Sequence, residues 1–166
     1  MSRELRNGYL GGLIALVVQF LLGMFTNLFV DIPTDHPGAK PPEYFSGVFQ
    51  SVTWAILHGP SIFLTLHAVL GLILVAFGFR LLFPAIRSRN RTAITTAVIG
   101  ALAMLGAGFN GGSFLNYNED FSSMIMAGFF AIAVTAYVVG LWALPLEQES
   151  RTPVAQSPAP PAARSL

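Results

Sequence analysis

Hydrophobic residues run through this chain in four long blocks, over residues 9–30, 60–83, 92–115 and 122–144. Each block is long enough for a bilayer-crossing helix, which takes about 20 mostly apolar residues. No stretch alternates apolar and polar positions as barrel strands do. The pattern predicts an all-α integral membrane protein, with a four-helix transmembrane bundle over residues 1–146. The first block is too long for a signal-peptide core and no small-residue cleavage site follows it, so it reads as an uncleaved anchor.

A shorter pattern precedes the second block. Phe45, Val48, Phe49, Val52 and Ile56 fall at i, i+3, i+4, i+7 and i+11, on one helical face. This uncharged stretch is too short to span. It predicts an interfacial helix in the first extracytoplasmic loop, with Tyr44 and Trp54 at headgroup level. Prolines at 33, 37, 41 and 42 give the segment before it a turn-rich path. Gly59-Pro60 separates the short helix from the second span and puts Pro60 in that span's first turn. The competing arrangement is one kinked helix from Tyr44 to Phe83. Further on, Asn110-Gly111-Gly112 is expected to break the third helix, and Asp120 or Ser122 to cap the fourth. Asn110, Asn116 and Asn118 either line a polar site or satisfy backbone groups. Residues 147–166, rich in Pro, Ala and Ser, are expected to form a disordered cytoplasmic tail.

Composition supports the membrane class. The chain has 166 residues, 54% hydrophobic and 10% charged, against roughly 25% charged in soluble domains. The absence of cysteine excludes disulfides, thiolate metal sites, Fe–S clusters and covalent haem attachment. A net charge of +1 gives no argument for nucleic acid. Of the nine Lys and Arg residues, only Lys40 falls in a segment on the side opposite the others. By the positive-inside rule both termini are cytoplasmic. This pattern suits a multi-pass protein of a bacterial plasma membrane.

The candidate chemistry centres on His67, in a run with no charged residue between Glu43 and Arg80. A titratable group inside a bilayer usually faces a bundle interior or a cavity. Helical spacing groups the small and polar positions into stripes: Gly12, Gln19, Gly23 and Thr26; His67, Gly71, Leu74 and Gly78; Gly100, Ala103, Ala107 and Asn110; and Ala127, Ala131 and Thr135. Such stripes allow close approach and are expected to face one another in a tightly packed bundle. At 1.5 Å per residue, His67 lies about 10 Å, Asn110 roughly 7 Å and Asn27 about 5 Å inside the outer ends of their spans, with Gln19 deeper. His67, Asn110, Asn27 and Gln19 therefore form the expected site, in the outer half of the bundle and roofed by the outer loops.

That site would bind an apolar ligand or a redox cofactor, and one version of the reading makes the chain a membrane subunit of a larger complex. Haem b is the sharpest cofactor version. The chain holds only His36, His58 and His67, so a bis-histidine haem within one chain is not expected; Met104, Met24 or a second copy's histidine would have to supply the other ligand. His36 and His58 are weak metal candidates on the outer face, with Asp35, Glu119, Asp120, Met124 and Met126 scattered around them. The plain alternative for His67 is a hydrogen bond to Asn110, Gln19 or Asn27 that pins helix packing. G-x-S-x-G, H-E-x-x-H and phosphate-loop motifs are absent, so no catalytic residue is assigned. Two other classes compete: an accessory protein contacting a membrane partner through its outer loops, and a small transporter working as a homo-oligomer.

Overall fold

The computed structural model describes residues 2–144; the tail at 147–166 lies outside them. Five helices follow one another: α1 (Ser2–Phe29), α2 (Tyr44–Leu57), α3 (Ile62–Ser88), α4 (Arg91–Tyr117) and α5 (Asp120–Trp142). Among the described residues there is no strand. Helices α1, α3, α4 and α5 are each long and apolar enough to cross a membrane. Much of their apolar surface is exposed, including Ile14, Val17, Leu21 and Leu28 on α1 and Val138, Val139 and Trp142 on α5. Apolar area of this extent is stable against lipid and not against water. The chain is a multi-pass membrane protein.

The four long helices close into a ring in the order α1, α3, α4, α5, with α5 returning to α1. Helix α2 crosses one end of the bundle and packs on α3 and α4 alone. That end is the α2 end; at the other, α1 begins and α5 finishes. Glu43 caps α2 through bonds from the Phe45 and Ser46 N–H groups, and Ser61 caps α3. The break between α2 and α3 at residues 58–61 rules out the single kinked helix.

Packing is closest in the half away from α2. Tyr9 and Tyr137 are fully buried there, ring edge to ring face with centroids 5.3 Å apart. Tyr9 Oη donates to the Ala93 carbonyl at 2.6 Å and lies 2.9 Å from Thr96 Oγ1. Gly12 and Gly100 give way to the Tyr137 ring, and Gly140 to the Tyr9 ring. A Cβ at Gly12 would sit 2.6 Å from Tyr137 Cε2, and one at Gly140 would sit 2.6 Å from Tyr9 Cζ.

Three expectations are corrected. The third long helix does not break at Asn110-Gly111-Gly112. It continues to Tyr117 and ends at Asn118, which takes the left-handed conformation at φ 53. Gly112 is required inside the helix because Val48 of α2 occupies the space its side chain would fill. The residue preceding α5 is Glu119, with no side-chain capping bond, so neither Asp120 nor Ser122 serves as the cap. Finally, Ala127, Ala131 and Thr135 are exposed, and α5 packs instead through Ala133, Ala136, Tyr137 and Gly140. In a helix apolar all round, size alone does not choose the packed face. The buried tyrosine did.

Candidate ligand cavity

The α2 half of the bundle is hollow. A cavity of about 510 Å³ lies among all five helices, within the size range of ligand sites. Val48 and Val52 of α2 form part of its boundary together with Leu64 of α3 and Leu115 of α4. Leu74, Met104, Phe129 and Ala133 also line it. Among its lining residues there is no Asp, Glu, Lys or Arg.

Of the expected site residues, Gln19, Asn27 and His67 border this cavity and Asn110 does not. Asn110 Nδ2 donates to the Gly106 carbonyl one turn back in its own helix, at 2.9 Å. Asn27 is exposed. Gln19 and His67 join α1 to α3 through a reciprocal set of bonds. His67 Nδ1–H donates to the Gln19 carbonyl at 3.2 Å. Gln19 Nε2 donates to the His67 carbonyl at 3.0 Å and lies 3.4 Å from His67 Nε2. Gly23 makes room for the ring: a Cβ there would stand 2.8 Å from His67 Cε1. In this tautomer the imidazole's one remaining lone pair faces the Gln19 amide. An iron ligand needs that lone pair directed at the metal, so the geometry gives haem b no support. The amide's other end is different. Gln19 Oε1 is buried with no hydrogen-bond partner.

His67→Leu removes the ring's part of the clamp and leaves the bond from Gln19 Nε2 to the backbone carbonyl. The variant is expected to lose about 1 kcal/mol of stability, read as a lower thermal midpoint in detergent, because the ring N–H bond to the Gln19 carbonyl is lost and one Gln19 amide hydrogen loses its neighbouring acceptor. An unchanged midpoint would show that the ring's bonds do not hold α1 to α3.

The weak metal candidates have other roles. His36 is buried in the segment before α2, its ring stacked on Trp54 at a centroid distance of 4.1 Å. Its Nδ1 lies 3.0 Å from the Pro37 carbonyl and its Nε2 3.1 Å from the Leu115 carbonyl. It ties that segment to the end of α4. His58 is the exposed C-cap residue of α2. Among the described residues no group of three or more His, Asp or Glu could hold a metal.

Sequence reasoning gave Asn116 no definite place, and it proves to be the second anchor of the same segment. Asn116 is 2% exposed. Ser51 Oγ lies 2.7 Å from its side chain, and with the amide nitrogen turned that way Nδ2 also reaches the Gly38 and Gly47 carbonyls at 3.2 Å. The Lys40 N–H donates to the Asn116 backbone carbonyl at 2.8 Å. Gly38 makes the turn at φ 90, against Ser51, where a side chain has neither the dihedral nor the room. An asparagine near a helix end carries no sequence mark that separates this role from a solvated one.

No protein-family model, curated protein or solved structure matches this chain.

Proposed function

We propose that this protein binds an apolar small molecule in the α2 half of its bundle. The observation that carries the reading is the uncharged cavity of about 510 Å³, bordered by Gln19 and His67. Helical membrane proteins fill their interiors with side chains as the other half of this bundle does. An apolar space of this size is the usual form of a ligand site. The arginine distribution supports an orientation with both termini cytoplasmic in a bacterial plasma membrane. On that orientation the cavity lies in the outer leaflet. Helix α2 then lies along the outer interface, and its exposed Phe45 and Phe49 dip into the acyl region.

The test fills the cavity. Ala107 lines it and is partly buried. Ala107→Phe is expected to reduce the apolar molecule that co-purifies with the protein, measured by organic extraction and mass spectrometry, at least tenfold while the protein stays folded. Equal recovery from variant and wild type, or no co-purifying or added apolar molecule at all, overturns the reading.

A further inference from the structure

The cavity is walled unevenly. Helix α2 covers its α3 and α4 side, where Phe45 of α2 meets Phe109 of α4 edge to face at 6.0 Å, and makes no packing contact with α1 or α5. Leu72 and Gly108 on the covered side are exposed and part of the wall, but α3 and α4 touch there: a Cβ on Gly108 would meet Val75 Cγ2 at 3.6 Å. The α1 and α5 side is different. Met24 and Asn27 of α1 and Ala127 of α5 each border the cavity and are also exposed. Among the described residues, the ring and glycine contacts that join these two helices are those of Tyr9, Gly12, Tyr137 and Gly140, and then the stacked rings of Phe20 and Phe130, centroids 5.2 Å apart. None lies nearer the α2 end. From Phe20 to Asn27 is seven residues, a height of about 10 Å at 1.5 Å per residue. The cavity therefore opens sideways, between α1 and α5.

Both helices that frame this opening are long and apolar enough to cross the membrane, so it faces lipid. Of the residues that border the cavity and are exposed, Asn27 alone has a polar side chain. At the α2 end the wall includes Ile32, carried by the segment that His36 and Asn116 pin in place. A guest that comes through the gap must first dissolve in the bilayer. Inside, a charged group would meet no countercharge in the lining. The charged residues nearest the gap along its two helices are both acids, Asp31 just after α1 and Asp120 at the start of α5. An anionic end left at the mouth would meet repulsion from them.

We infer that the ligand is an uncharged, hydrocarbon-like molecule dissolved in the bilayer, and that it enters the cavity sideways, between α1 and α5, without passing through water. This rests on the cavity being a ligand site.

The experiment photolabels the full chain in nanodiscs with a phosphatidylcholine that carries a diazirine at the end of one acyl chain. Its headgroup stays in the interface, so the carbene reaches the cavity only when the chain passes between helices. Labelled residues are identified by mass spectrometry. Ala107, on the cavity wall, is expected to be labelled in wild type. Ala127→Trp narrows the gap and is expected to reduce that label about fivefold or more. Leu102, exposed on the same helix and outside the cavity wall, is expected to be labelled equally in both. Ala127 is exposed, so the larger ring need not enter the core; Met24→Trp, on the opposite side of the gap, is a second block. Excess hexadecane is expected to displace the label from Ala107, and hexadecyl sulfate to be about tenfold weaker or worse as a competitor. No label at Ala107, or a label that neither tryptophan reduces, overturns the path between α1 and α5. Equal displacement by hexadecyl sulfate overturns the uncharged class. Either failure leaves apolar binding itself intact, which Ala107→Phe tests separately. A label at Ala107 that hexadecane does not displace counts against the cavity as a ligand site altogether.

Discussion

Gly100→Leu is expected to cost about 3 kcal/mol or more and to lower the yield of folded protein sharply. A Cβ on Gly100 already overlaps the Tyr137 ring, and that ring has no direction in which to retreat. It is fully buried between Gly12 and Gly100, its neighbour Tyr9 meets it at 72°, and its hydroxyl points to Met104 Sδ. Overpacking a site with no slack typically costs about 1–3 kcal/mol and sometimes more. The measurement is the thermal midpoint in detergent, with Gly11→Leu as the matched control. Nothing lies within 4 Å of a Cβ at Gly11, so the control is expected to match wild type within about 0.5 kcal/mol. A Gly100→Leu midpoint equal to the control's would mean that the two tyrosines are not the centre of packing.

Asn116→Leu is the second large effect, and it is separable in kind. The leucine cannot meet Ser51 or the Gly38 and Gly47 carbonyls. Leaving buried polar groups without partners costs about 1–3 kcal/mol. The loss falls on the segment over residues 31–43 rather than on the ring of long helices. Proteinase K is therefore expected to cleave that segment several-fold faster in the variant, while the bundle fragment on either side stays intact. Cleavage at the wild-type rate would show that His36 and the backbone bond from Lys40 suffice to hold it.

Much of the fold was legible because the signals were long. A run of twenty apolar residues has few other uses, and prolines at 33, 37, 41 and 42 leave little room for helix. The short helix at Tyr44–Leu57 followed from five apolar positions on one face. The misreadings came where tertiary contacts override a local preference. Gly111 and Gly112 look like a helix end, yet α4 runs through them because Val48 packs into the space at Gly112. The α5 stripe was chosen by residue size, but the packed face is set by where Tyr137 finds the notches at Gly12 and Gly100.

The site was legible in part for the same reason. Depth along straight helices groups His67 with Asn110 and Asn27 and sets Gln19 deeper, yet it is Gln19, named among the partners in the packing alternative, that His67 meets. Asn110 shares roughly the same depth and faces away, because depth fixes height on a helix and leaves the angle around it open. The hollow itself left no trace in the sequence. A cavity is an absence of side chains between elements, and no residue type marks it.

The two halves of the bundle give it the mechanics of a clothes-peg. The end built on Tyr9, Tyr137 and their glycines is locked, and the end beneath α2 carries no such lock between α1 and α5. Helix α1 is held again at Gln19 by the His67 bonds, so the arm beyond that point, to Asn27, is about 12 Å at 1.5 Å per residue, and a tilt of roughly 5° carries its tip about 1 Å. On the proposed reading, a small rotation of one arm would change the girth of the cavity with the joint untouched.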